Sequence, residues 1–134
     1  MLLKPKKVKY KKLHKKTLKN YDYKAHDLKF GTIGLKSLTA GTITSKQLES
    51  ARQAISRKIK RKGKLWIRVF PHLSLTAKPT EARMGKGKGS IHSWAAKVKC
   101  GTVVFELCGI PFNLATISLK TGGAKLPVKT GIFN

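Results

Sequence analysis

Thr44-Ser-Lys-Gln-Leu-Glu-Ser-Ala-Arg-Gln-Ala-Ile-Ser-Arg-Lys-Ile-Lys-Arg-Lys-Gly-Lys-Leu-Trp-Ile-Arg-Val-Phe70 is the stretch that decides the fold. It passes from a helical period to a strand period with a single glycine between them. Thr44 and Gln47 have the spacing of a capping box, where a hydroxyl bonds forward and an amide bonds back at a helix start. Leu48, Ala51, Ile55 and Ile59 then recur at steps of three and four, which makes one apolar face. Arg57, Lys60 and Arg61 lie off that face, and Gly63 is a natural stop. The spacing predicts a helix over 45–62, apolar toward a sheet and basic outward. In the strand after Gly63, Leu65, Ile67 and Val69 share one side and Trp66, Arg68 and Phe70 the other. Trp66 reads as a core residue rather than a stacking platform.

Working outward, Leu28–Leu35 and Ser37–Thr44 are short β-like segments broken by glycines. Pro71 ends the central strand, and 71–90 reads as one long connection. Ile91–Lys99 and Thr102–Cys108 read as a β-hairpin turning at Cys100-Gly101, with Val103, Phe105 and Leu107 inward. Gly109-Ile-Pro111 introduces a second helix with Leu114, Ala115, Ile117 and Leu119 as its apolar positions, ended by Gly122-Gly123. Leu126–Phe133 reads as a last strand, which Pro127 favours at a sheet edge. The expected order is β-β-α-β-β-β-α-β. That is a single α+β domain over 26–134, behind a basic arm over 1–25, with an extended Gly/Lys loop at 80–90.

Composition sets the partner class. The 134 residues hold 30 Lys plus Arg against 5 Asp plus Glu, a formal charge of +25. Self-repulsion at that charge opposes a compact isolated state, and a polyanion offsets it. The cations run along most of the chain rather than in one cluster beside an apolar anchor, so nucleic acid fits better than a membrane surface. No apolar run is long enough to span a bilayer, and the N-terminus lacks a signal-peptide core. Cys100 and Cys108 lack metal-site spacing and read as reduced, buried thiols.

Two segments carry the binding chemistry. Lys4, Lys6, Lys7, Lys9, Lys11, Lys12, Lys15 and Lys16 crowd the arm with no acid among them. Such an arm cannot fold alone and orders on a polyanion, with Tyr10, His14 and Tyr21 available for stacking. Arg83-Met84-Gly85-Lys86-Gly87-Lys88-Gly89 alternates glycine with lysine, so its backbone can approach phosphate closely. It is not a Walker loop, because no lysine directly precedes Ser90 and the residues after Ser90 are β-like. The five carboxylates, Asp22, Asp27, Glu49, Glu81 and Glu106, form no evident acid/base pair, and the four histidines are scattered. No enzyme, cofactor or metal site is expected.

These residues together resemble the family of the bacterial-type sixteenth protein of the large ribosomal subunit. The resemblance runs through the start Met1-Leu-Leu-Lys-Pro-Lys-Lys-Val-Lys-Tyr-Lys-Lys-Leu-His14, Phe30-Gly31, Gly34-Leu35, the helix with Glu49, Ala51-Arg52 and Ala54, and Gly63-Lys-Leu-Trp-Ile-Arg-Val-Phe-Pro71. Lys78-Pro79 followed by Arg83–Gly89 is its most specific part, and Ala124-Lys-Leu-Pro-Val-Lys-Thr130 matches its end. Ser90-Ile-His-Ser-Trp94 and the polar-interrupted second helix depart from the pattern.

The resemblance implies an α/β-hammerhead fold and a structural role on large-subunit rRNA, near the central protuberance and the aminoacyl-tRNA site, supporting tRNA positioning and assembly. It implies rRNA contact by the arm lysines, Arg57, Lys60, Arg61 and Arg68, and a loop, Arg83–Gly89, close to tRNA and the peptidyl-transferase region. Arg68 and Arg83 are the expected planar contacts. Partners would be rRNA, tRNA and neighbouring ribosomal proteins, without a membrane and without homo-oligomers. A motif beginning at Met1, a lysine-rich bias and the divergent second half favour an organelle-encoded protein of the mitochondrial matrix over a bacterial cytoplasm or plastid. The competing function is a free nucleic-acid chaperone.

Overall fold

The computed structural model describes residues 3–16, 18 and 20–134. Residues 1, 2, 17 and 19 of the expected arm lie outside the described residues. The elements are β1 (Ile33–Ser37), β2 (Gly41–Thr44), α1 (Ser45–Lys58), β3 (Lys64–Ile67), β4 (Leu73–Ala77), β5 (Ser90–Val98), β6 (Val103–Cys108), α2 (Phe112–Gly123) and β7 (Thr130–Phe133). They form two antiparallel sheets, one ordered β3-β6-β1-β7 and the other β2-β5-β4. The fold is α+β, with one strand more than expected.

Strand parity organises the larger sheet. Ile67 pairs with Phe105, Phe105 with Leu35, and Leu35 with Ile132, so one row of apolar side chains crosses four strands on a single face. The residues one step along, Trp66, Glu106, Gly34 and Phe133, make the corresponding row on the other face. The apolar row joins Leu48, Ala51, Ile55 and Ile59 of α1, Ala115 and Leu119 of α2, and Ile43, Ala96 and Val98 of the smaller sheet in one core. Burying such a continuous face is the main favourable term in folding.

The capping box at Thr44 is present: Thr44 Oγ1 accepts from Gln47 N, and Thr44 N donates to Gln47 Oε1 at 2.9 Å. The helix ends earlier than expected. Lys58 is its last residue, and Lys60 and Arg61 take positive φ before Gly63 does.

Two expectations are corrected. The 91–99 and 102–108 segments are not a hairpin: β5 pairs with β2 and β4, while β6 pairs with β1 and β3. The turn between them is captured by the end of β1, with Gly101 N donating to Ser37 O and Ser37 N to Thr102 O. That capture sends the chain into the other sheet. The 71–90 connection is not wholly irregular, because Leu73–Ala77 is an edge strand on β5. Two flanking prolines disguise it. Gly122-Gly123 closes the second helix as expected, and both glycines are buried there. A Cβ at Gly122 would sit 2.4 Å from Ile55 Cγ1, so these glycines let α2 approach α1. The buried face of α2 is accordingly Ala115, Ser118, Leu119, Gly122 and Gly123, and Ile117 faces out.

Candidate nucleic-acid interface

Three basic surfaces emerge. The first lies at the end of α1. Arg57, Lys60 and Arg61 meet there with Arg52, Gln53 and Ser56 around an open concavity. Arg57 and Lys58 in the last turn also suit the negative end of the helix dipole. Arg52 is held in a fork by Glu49, with Nη2 to Oε1 at 2.7 Å and Nε to Oε2 at 3.0 Å. The Arg52 bond holds the Glu49 carboxyl below its ordinary range, and the same bond raises Arg52. Arg52 is the member of this surface that sequence reasoning misses; its place three residues after Glu49 and one turn before Ser56 is the signal that locates it.

The second surface is the arm. Its described residues through Lys16 form no helix or strand, and the lysines from Lys6 to Lys16 are exposed. Leu3 anchors it by entering the core. Further along, Asp22 N donates to Cys100 O, so the end of the arm is tied to the β5–β6 turn. Lys15 and Lys16 line a pocket with Lys97, Ala40, Gly41 and Thr42, bringing a cation from β5 beside two from the arm.

The third is the Gly/Lys loop. Residues 80–88 are exposed, and Gly85 and Gly87 adopt φ of 95° and 87° with nothing within 4 Å of where a Cβ would be. Arg83 and Met84 project to solvent. Gly89 differs, because its missing Cβ would fall 2.4 Å from Ala77 O, so this glycine is required by packing. Lys78 Nζ donates to Gly85 O within the loop. The arm and loop also grip each other. The Lys12 ammonium donates to Lys88 O at 2.6 Å, and the Lys88 ammonium donates to Leu13 O at 2.6 Å. Two segments more than seventy residues apart thus present one basic surface.

Arg68 has a different position from the one expected of a phosphate or base contact. Its side chain is 10% exposed and pairs with Glu106, which is fully buried on the outer face of the larger sheet. Arg68 Nη1 also donates to Asp27 O at 3.3 Å. Glu106 Oε2 further accepts from Phe30 N and Gly31 N, each at 2.8 Å, and Oε1 from Lys29 N at 3.2 Å. Burial alone pushes the Glu106 carboxyl up, but these donors together hold it below its ordinary range. Trp66 is corrected too. It faces away from the core and stacks on Phe30, with ring centroids 6.0 Å apart and planes 23° from parallel.

The other acids are also engaged. Burial raises Asp22, but bonds from Thr102 Oγ1, Lys24 N and Ala25 N and the nearby Lys99 ammonium lower it overall. Asp27 pairs with His26 at 3.1 Å. Glu81 alone stands among the exposed loop residues. Both thiols are free and half-buried, and Cys100 donates to Leu38 O. Among the described residues no group of three His, Cys, Asp or Glu could hold a metal, and no helix is long and apolar enough to cross a membrane. Chemically, the arrangement presents exposed ammonium groups and open backbone that could accommodate an anion.

Residues 5–133 match the family model described as ribosomal protein L16p/L10e. The chain is 49% identical over 131 residues to the large ribosomal subunit protein uL16 of Maricaulis maris (strain MCS10), covering 98% of this chain and 96% of that protein. It is 50% identical over 129 residues to the uL16 of Bartonella bacilliformis (strain ATCC 35685 / KC583 / Herrer 020/F12,63), covering 96% and 94%. Against the uL16 of Chelativorans sp. (strain BNC1) the identity is 48% over 129 residues, with the same coverage. Such likeness over nearly the whole length, through both sheets and all three basic surfaces, means that the chain belongs to the ribosomal protein L16p/L10e family.

Proposed function

We propose that this chain is a structural component of a bacterial-type large ribosomal subunit, holding rRNA with its arm and the end of α1. The chain is not an enzyme, in keeping with its family. The reading is carried by the joining of arm and loop through Lys12 and Lys88, which merges two basic segments into one surface. The arm lysines and Arg57, Lys60 and Arg61, joined by Arg52 and Lys97, neutralise rRNA phosphates and release counterions. Arg68 is omitted from that set because it is only 10% exposed against the buried Glu106, whereas Arg52, though paired with Glu49, keeps 33% of its side chain exposed. The loop Arg83–Gly89 extends toward tRNA at the aminoacyl site, where Lys86 and Lys88 act as point charges and Arg83 as the planar donor. Neighbouring ribosomal proteins are its other partners, and it acts as a single copy. The expected mitochondrial matrix gains no support from the relatives, which are bacterial; a bacterial cytoplasm fits them.

Sedimentation of native extract through a magnesium-containing gradient tests this. Co-migration with the large subunit, lost after a high-salt wash, is expected. Recovery mainly in free fractions would refute it and favour a free nucleic-acid chaperone.

A further inference from the structure

The residues around Phe30 are built more firmly than an exposed loop needs. Phe30 is 59% exposed, yet its backbone N–H and those of both neighbours point at one buried carboxylate, Glu106. Gly31 sits so close to β6 that a Cβ would fall 2.7 Å from Leu107 O. The ring stacks on Trp66, and the Arg68 guanidinium carbon lies over it, 5.5 Å from the ring centre. An exposed aromatic ordinarily has rotamer and loop freedom, and here most of that freedom has already been removed. Fixing a flat apolar ring in advance lowers the entropy lost when something stacks on it.

The charges nearby select the occupant. Lys29 adjoins Phe30 in the chain, and Lys64 lies on the same side of β3 as Trp66 and Arg68. Glu106 is covered, and the one exposed carboxylate close by, Asp27, pairs with His26. A π face with exposed lysines at neighbouring positions suits a nucleobase with its phosphate and disfavours an apolar protein surface, which would bury those ammonium groups unpaired. We propose that Phe30, backed by Trp66, is a stacking platform for an unpaired RNA base. This rests on the RNA-binding reading above and adds a site to it. It also gives the buried Arg68–Glu106 pair a positioning role: the pair holds the platform without touching RNA.

The test uses the full chain with Trp94→Phe, which leaves Trp66 as the sole tryptophan, and a single-stranded RNA dodecamer carrying a terminal dye. Binding is read twice, from dye anisotropy and from Trp66 emission, over a series of salt concentrations. Expected is quenching of Trp66 on binding and a roughly 5- to 150-fold weaker affinity for Phe30→Leu, as one lost base stack implies. The slope of affinity against salt stays unchanged, because no phosphate contact is lost. Phe30→Trp restores affinity. Circular dichroism identifies any variant that fails to fold, and quenching of Trp66 in the parent then decides the matter alone. If folded Phe30→Leu binds within twofold of the parent, or Trp66 emission ignores RNA that anisotropy shows to be bound, the platform is refuted while RNA binding stands. If neither the dodecamer nor an RNA duplex binds at low salt, the RNA reading falls and the platform with it.

Discussion

Replacing Glu106 with Gln tests the structure at its most committed polar site. The carboxylate is fully buried and accepts from Lys29 N, Phe30 N, Gly31 N and Arg68. A Gln carbonyl in the place of Oε2 keeps the Phe30 and Gly31 bonds. Its NH2 then replaces Oε1, so a donor faces the Lys29 N–H and the Arg68 guanidinium. Arg68, only 10% exposed, is left charged without its partner. Breaking a buried pair from one side costs about 3–5 kcal/mol, a large part of the roughly 5–15 kcal/mol that holds a domain together. Arg68→Met is milder, about 1.5–3 kcal/mol, because the carboxylate keeps its three backbone donors. Urea unfolding at neutral pH, followed by tryptophan emission and circular dichroism, measures both. The same cluster fixes an acid dependence. A carboxyl held below its ordinary value of 4.5 stabilises the fold above that pH, and this is lost as pH falls through the folded-state value. Glu106→Gln therefore shows a shallower acid decline by up to one proton, about 1.4 kcal/mol per pH unit. Asp22 and Glu49, also lowered, keep their share. A loss below about 1 kcal/mol at an unchanged urea slope would refute the account of this cluster, since even a charged hydrogen bond is worth more.

Gly122→Ala gains about 1 kcal/mol of helix propensity but drives a methyl into Ile55, and overpacking costs about 1–3 kcal/mol. A net loss in urea unfolding is expected, and it should shrink in an Ile55→Ala background, which removes both Cγ1 and Cδ1, the atoms the Cβ would meet. Lys12→Ala with Lys88→Ala removes both bonds between arm and loop, so limited trypsin digestion of the free protein should cut at Arg83 and Lys86 several-fold faster than in a Lys9→Ala, Lys125→Ala control of equal charge, which leaves the loop contacts intact. Equal cleavage would mean that the contacts do not restrain the loop. Lys86→Ala with Lys88→Ala should slow tRNA accommodation on purified ribosomes more than it lowers subunit yield on gradients, and normal decoding would remove the loop from that role.

Legibility in the sequence tracks the range of the forces involved. The capping box, the α1 face and the strand carrying Trp66 rest on neighbours within a turn or a pleat, and each can be read locally. A β5–β6 hairpin is the natural misreading because adjacent strands usually pair, whereas Ser37, more than sixty residues upstream, captures the turn through Gly101 and Thr102. Gly122 reads correctly as part of the helix end, but its packing reason for being glycine, Ile55, lies on another helix and is not legible locally. Arg68 reads as an RNA contact in a chain so rich in cations, since nothing local reveals that Glu106 of β6 stands beside it. Phe30 carries only a family resemblance in the sequence. Its exposure and support depend on three segments meeting.

The distribution of charge explains how so basic a chain can have a core at all. Glu106, Glu49 and Asp22 are drawn into bonds that position the segment over the outer sheet face, one flank of α1 and the end of the arm. Many of the cations that remain stand on exposed arm, helix end and loop, away from the shared apolar core. Their mutual repulsion acts through solvent and is screened by salt, while their attraction for RNA is weakened by the same ions. Salt therefore steadies the free chain under the conditions that strip it from RNA. The interior acids and the apolar row are screened much less, so salt weakens attraction for RNA more than it weakens the fold.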